Sequence, residues 1–561
     1  MGRSFSRSHF LSILTESSYT GSGDKSDTPK EAGRAGLAPY RGEWEDTQLL
    51  HLLRRSLFGA TLSDLKKMSG KNLDQCLDIL LTQSPTPEPP VNVYNDEKYA
   101  DPDVPYGKTW VYADFGDSEG PQDGRRVSSL KAWWVGLMIN QDLSLTEKMT
   151  LFWSNHLAAQ MYLMKDARLD YGYLALLRSS ALGNFKKLVR DITTNPGMLE
   201  YLNTNVNTAK APNENYSREL QELFTVGKGP NSHYTESDVR EAARVLTGWE
   251  TVDKPGGVFA VFNEQNHDTG DKHFSDFYEH ATIAGKSGQH GSSEVDDLID
   301  MIFRQKEVAR YACRNIYRWF VYYQIDSEME SKVIEPLADV LIANDFEIKP
   351  VLRALLGSEH FYESRSMGCQ IKNPIDHLIG AYRQLGSPLS GEDLKMQYES
   401  WSHLEWRLKE MGMSPGDPPN VAGWPATYQF PAYSESWIST TTLTMRNSAT
   451  DILASPMGMN SPTFKLSFDL LGFARELSAP GDPDRLIADS CRILSSVPMG
   501  SKQTEILRDI LLSGQTSGHY WADAWNEYLS NPEDPIKRNV ALNRLTPFYT
   551  YILQRSEYQL T

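Results

Sequence analysis

Cysteine is scarce: Cys76, Cys313, Cys369 and Cys491 are the only four in 561 residues, far apart and without CxxC or any other ligand spacing. A zinc site built on cysteine is therefore not expected, and buried thiols are. No run of about 18 apolar residues occurs, so no membrane-spanning helix is expected. Positive charge is also short, with 56 Lys and Arg against 73 Asp and Glu and a formal charge of −17. That balance argues against nonspecific binding to nucleic acid or anionic lipid, which needs clustered Lys and Arg. A GxSxG elbow, a Walker phosphate loop and a GxGxxG turn after a strand are missing too, which argues against nucleotide hydrolysis and dinucleotide redox chemistry.

The first 43 residues are rich in Ser, Gly, Lys and Asp and read as a disordered leader. Their one apolar run, "FLSIL", is too short for a signal peptide. "SRSHFL" echoes a twin-arginine signal with Ser8 in place of the second arginine, and Gly2 with Ser6 fits a myristoylation pattern. Neither is a clear address, so no compartment can be read.

From Glu45 onward apolar residues recur at helical spacing. "TQLLHLLRRSLFGA" sets Leu49, Leu50, Leu53 and Leu57 on one face and stops at Gly59. "LSLTEKMTLFWSNHLAAQMYL" carries Leu145, Met149, Phe152, Trp153 and His156 on a helical stripe. In "YTESDVREAARVLTGWE" Thr235 caps a helix, Asp238 completes a capping box and Gly248 lies past its end. The expected fold is all-α, a multi-helix core with long irregular loops and at most minor β structure. Residues 44–450 form the expected core domain, and 451–561 a C-terminal helical extension packed on it. Two segments interrupt the helices: 84–126, opened by Pro85, Pro87, Pro89 and Pro90, and 250–292, with short strands around "GVFAVF" and "ATIAG".

The stretch "APNENYSRELQELFTVGKG", residues 211–229, concentrates polar groups on an apparent helix at 212–226. Pro212 suits its first turn. At 100° per residue Tyr216, Leu220, Leu223 and Phe224 form an apolar face, with Asn215, Glu219 and Glu222 in a stripe beside it. Glu214 and Arg218 are spaced as an i, i+4 ion pair. Like charges one turn apart repel unless a cation or a proton lies between them, so Glu219 with Glu222 marks either a solvated face or a site.

"LLRRSLFGATLSDL", "LTEKMTLFWSNHLAA", "NFKKLVRDITTNPGMLEYLNT", "PNENYSRELQELFTVG", "YTESDVREAARVLTGW", "NHDTGDKHF", "KNPIDHLIGAYRQLG" and "PPNVAGWP" follow one another in that order. From Leu49 to Asn447 the chain resembles the bacterial family called domain of unknown function 1800. The resemblance implies a helical protein, often exported. It also implies company with a second family, domain of unknown function 1501, which is similar to sulfatases and phosphatases, and a setting in surface-polymer or polysaccharide work. The degraded leader departs from the export pattern.

The family pattern at "FWSNH" falls on Trp153, Asn155 and His156, although a histidine on an apolar face is more often a core residue than a ligand. His267 and Asp268 lie in a loop, where polar residues need not be structural. His156, Glu219, Glu222, His267 and Asp268 together could supply oxygen and nitrogen donors to a divalent metal. The same residues without metal could act as an acid/base carboxylate pair, with His156 and His267 assisting. Asn155, Asn213, Asn215, Arg218, Asn420 and Trp424 are the expected substrate-binding side chains, although a tryptophan such as Trp424 is more often a plug in the core. Two functions fit: a hydrolase or lyase acting on a glycan-like polymer, or a non-catalytic binding or accessory protein working with the sulfatase-like partner. In the first, 84–126 and 250–292 would frame the pocket and bring His267 toward Glu219.

Overall fold

Local capping chemistry sets most helix boundaries. Thr61 Oγ1 accepts the Asp64 N–H at 3.0 Å while Asp64 Oδ2 accepts the Thr61 N–H at 3.1 Å, opening the helix Leu62–Met68. Thr235 and Asp238 exchange the same pair of bonds and open Glu236–Val245, as the sequence requires. Asn373 caps Pro374–Leu385, with Pro374 in the first turn, where its missing N–H costs nothing.

The computed structural model describes residues 35–113, 122–389 and 392–561. Within them the protein is predominantly helical, and its β-strands form three two-stranded antiparallel pairs. "GVFAVF" is a strand, Gly257–Phe262; its partner is Trp249–Lys254, with Trp249 opposite Phe262 and Lys254 opposite Gly257. Thr282–Ile283, in "ATIAG", pairs with Lys272–His273. Among the described residues no helix is long and apolar enough to cross a membrane.

One cluster of buried side chains runs from Leu49 to Tyr558. The boundary expected at residue 450 falls inside the helix Thr440–Ala454, against which Pro535–Gln554 packs. Arg446, fully buried on the first of these helices, donates to Gln559 Oε1 at 2.7 Å and to Lys372 O at 2.9 Å. At the other end, residues 1–34 of the expected leader lie outside the described residues. Residues 35–43 are tied down: Tyr40 N donates to Gly357 O and Glu359 N to Ala38 O, both at 2.8 Å.

The helix expected at 212–226 is shorter and changes pitch. It opens at Asn215, with Asn213 Oδ1 accepting the Asn215 N–H at 2.9 Å, and after Glu219 it widens into a π-helical stretch, Leu220–Thr225. Thr225 Oγ1 donates to Leu220 O at 2.5 Å, and Val226 N and Gly227 N both reach Gln221 O at 3.0 Å. A π turn advances fewer degrees per residue, so the wheel drawn at 100° fails beyond Glu219. Gln221 and Glu222 turn inward, and Leu223 is left half-buried.

Segment 84–126 is irregular over residues 84–113 and is already helical from Gln122, in the helix Gln122–Ile139 to which it is anchored. Arg126 grips Asp101 through two bonds of 3.0 and 3.1 Å, and Trp110 Nε1 donates to Ser129 Oγ at 2.9 Å. Residues 114–121 of this segment lie outside the described residues.

Candidate functional site

Every residue of the helix Thr146–His156 is buried, although the helix carries Glu147, Lys148, Asn155 and His156. Buried polar groups must find partners or leave their desolvation uncompensated. Glu147 accepts from Arg178 Nε at 2.8 Å. Lys148 is ion-paired with Asp376, whose other oxygen accepts from Asn373 Nδ2 at 2.7 Å. Burial nonetheless holds the Lys148 ammonium below its ordinary range, with Asp376 opposing.

The C-terminal end of this helix forms one wall of a cleft. Phe152, Asn155 and His156 line it from this side. Tyr311, Asn315, Arg318 and Trp319 of the helix Lys306–Phe320 line it from another, with Leu223 of the π turn nearby. Arg54 and Arg55, from the end of the helix Asp46–Ser56, join Gln370, Asn373 and Asp376. The loop after Pro418 closes it with Trp424, Thr427, Tyr428, Tyr433 and Trp437. Tyr433 stacks on Tyr323 with centroids 5.4 Å apart, and the Arg318 guanidinium lies 5.4 Å from the Tyr433 centroid.

His156 is engaged at both nitrogens. Nε2 is 3.0 Å from Phe224 O, a carbonyl, so Nε2 carries the proton; Nδ1 then accepts from Asn315 Nδ2 at 3.3 Å. Burial lowers its pKa to about 4, with the Phe224 carbonyl opposing. The imidazole is neutral at neutral pH. Asn155 is spent on the loop: Oδ1 accepts the Trp424 N–H at 2.8 Å and Nδ2 donates to Thr427 Oγ1 at 3.1 Å. Trp424 both fills the core and lines the cleft, 7% exposed.

The other candidates lie in separate settings, and none of them lines the cleft. Glu219 is half-buried, and burial raises its carboxyl pKa, with Lys228 and Arg218 opposing. Glu222 is buried and ion-paired with Lys228. Arg218 bridges Glu214 at 3.0 Å and Glu236 at 2.7 Å, tying two helices together. Asn213 Nδ2 donates to Asn203 O at 3.3 Å, and the Asn215 side chain is exposed. Asn420, also exposed, accepts the Ala422 N–H at 2.8 Å and so shapes its own turn.

His267 belongs to a buried network, not to the cleft. Its Nδ1 lies 3.0 Å from Thr247 O and its Nε2 3.0 Å from Glu294 Oε1, while Lys272 Nζ meets Glu294 Oε2 at 2.5 Å. Asp268 is held by Arg244 at 2.7 and 3.1 Å, and its pKa is lowered by that pairing against the effect of burial. Among the described residues no group of three or more His, Cys, Asp and Glu side chains is placed to hold a metal ion. The five expected donors are thus distributed: His156 to Phe224 and Asn315, Glu222 to Lys228, His267 to Glu294, Asp268 to Arg244, and Glu219 near the surface. Segments 84–126 and 250–292 contribute no described residue to the cleft.

Residues the motif reasoning passed over make up much of the cleft: Arg54, Arg55, Lys148, Asn315, Arg318, Trp319, Asp376 and Tyr433. One signal for them was present, a lysine in the middle of the apolar run "TEKMTLFW", where a charge is costly unless paired.

No curated protein and no solved structure matches the chain. A family model does, described as a protein of unknown function (DUF1800), and it covers residues 51–560, beyond the segment that carries the sequence resemblance. The chain belongs to the DUF1800 family.

Proposed function

We propose that the protein recognises a segment of a glycan-like polymer in this cleft and does so as a binding protein, without cleaving it. The observation that carries the reading is the wall itself: Trp319, Tyr323, Trp424, Tyr428, Tyr433 and Trp437 surround two amides, Asn315 and Gln370. Aromatic faces offer area to the C–H faces of sugar rings, and a few placed amides fix orientation through hydroxyl groups.

Binding is favoured over bond cleavage because hydrolysis of a glycosidic bond ordinarily needs two carboxyl groups flanking it. Asp376 supplies the cleft's single side-chain carboxylate, and it is committed to Lys148 and Asn373. His156 is a weakened base, its pKa lowered to about 4, and both its nitrogens are engaged by Phe224 and Asn315. This reading takes the second of the two functions that fit the sequence, a non-catalytic binding or accessory protein.

Trp319 and Trp424 make the test direct. Titration with soluble polysaccharides, neutral and charged, should give a saturable change in tryptophan fluorescence that Tyr433→Ala weakens by roughly tenfold, the worth of one stacking contact. A flat response to every polysaccharide tested would remove the reading.

A further inference from the structure

The cleft has a charge opposite to that of the chain. The sequence carries 17 more acidic than basic groups, yet Arg54, Arg55, Lys148 and Arg318 line one cleft with Asp376 as its single side-chain carboxylate. Counting the main-chain carboxylate at Thr561 as a second negative charge still leaves the cations in excess. Lys148 takes Asp376, so the three arginines have no carboxylate partner among the described residues.

The unused hydrogen-bonding capacity in these walls has one sense. Arg55, 2% exposed, spends one nitrogen on Val321 O, Ser366 O and Cys369 Sγ, while its Nε and other terminal nitrogen have no partner. Arg318 Nε and Trp319 Nε1 are likewise buried without an acceptor. All four are donors; no lining residue has a buried acceptor left unpaired. Behind the cleft lies one more guanidinium, that of fully buried Arg446, whose pKa desolvation lowers to about 10. Arginine beside an aromatic ring, with donors to spare, suits a planar or tetrahedral oxyanion carried on a ring-bearing ligand.

We infer that the polymer is acidic: a glycan bearing sulfate or carboxylate groups, with one such group seated between Arg318 and Arg55 while its ring lies against Tyr433. The inference rests on the glycan-binding reading and supplies its ligand class. Half-buried Arg318 makes the contact, and fully buried Arg55 supplies charge from behind it.

One backbone in three forms tests this: dextran, dextran sulfate and carboxymethyl dextran of matched length, with inorganic sulfate as a fourth probe. The intact protein should bind one or both charged forms at least about tenfold more tightly than dextran, as a charge-assisted hydrogen bond implies. The tighter of the two identifies the acidic group. Arg318→Gln should erase the preference, and Arg318→Lys should restore part of it. Arg318 has no ion pair to lose, so both variants should fold, as an unchanged melting temperature would verify. Equal binding of dextran and its charged forms, or a preference that survives Arg318→Gln, overturns the acidic assignment and leaves glycan binding standing. Stabilisation by inorganic sulfate with no binding of any dextran overturns the glycan reading and leaves an anion site. No response to any of the four overturns both.

Discussion

Asn155 holds Trp424 in place across 269 residues of sequence, its Oδ1 accepting the Trp424 N–H at 2.8 Å. One wall of the cleft thereby fixes the other. The bond depends on the residue in between: Gly423 has φ +86°, and a Cβ there would lie 2.6 Å from Asn155 Oδ1 and 2.5 Å from its carbonyl oxygen. Asn155→Ala should cost about 1–3 kcal/mol in urea unfolding, the price of a buried N–H left without its acceptor. Gly423→Ala should cost at least as much, because it adds strain at positive φ to the collision. Both should blunt the cleft's ligand response, and a variant as stable and responsive as the wild type would remove this role for Asn155.

Stability should also depend on His156. The imidazole has an ordinary pKa of 6.5 when unfolded and about 4 when folded. Above pH 6.5 it is neutral in both states; as pH falls toward 4 only the unfolded state gains the proton, so stability is lost across that window. The loss attributable to His156 approaches roughly 3 kcal/mol by linkage. His51 and His377, also lowered by burial, add to the slope. His156→Gln keeps an amide donor for Phe224 O and an acceptor for Asn315, so its stability should fall less steeply. Parallel curves for the two proteins would contradict the assignment.

Asp170 should behave in the opposite sense. It is fully buried, neither oxygen has a hydrogen-bond partner, and its pKa is raised by desolvation and then by Asp123, Asp417 and Asp166. The folded state holds the proton more tightly than the unfolded one, so Asp170 lowers stability as pH rises above the ordinary aspartate range. Asp170→Asn should raise the melting temperature at pH 7 and lose that advantage below pH 4. A variant less stable than the wild type at pH 7 would show that the charged form has a partner.

The network of His267, Glu294 and Lys272 is buried apart from the cleft and should separate cleanly from it in experiment. Glu294 and Lys272 are both fully buried, so Glu294→Gln strands an ammonium in the interior and should cost about 3–5 kcal/mol. Fluorescence response to polysaccharide, measured where the variant is still folded, should be unchanged. A specific loss of binding without loss of stability would return His267 and Glu294 to the functional site.

Helices and their caps were legible where capping is local: Thr235 with Asp238 needs only three residues to be recognised. The π turn at Leu220–Thr225 was not, since Gln221 turns inward to accept from Tyr278, 57 residues away. His156 and Asn155 stood out as polar groups in an apolar stripe, and both line the cleft. Lys148 and Asp376 could be paired only by knowing that two helices 228 residues apart meet. The carboxylates at 219 and 222 drew attention through density of charge, and Lys228, six residues on from Glu222, is what makes that density tolerable.

The central claim is that the cleft between Asn155, Arg318 and Trp424 is where ligand binds, and a crystal structure of the protein soaked with a sulfated or carboxylated oligosaccharide tests it most directly. The expected result is density for a sugar ring against Tyr433, with an acidic group within hydrogen-bonding distance of Arg318. Density beside Glu219 and Glu222, with the cleft empty at a saturating concentration, would contradict the account.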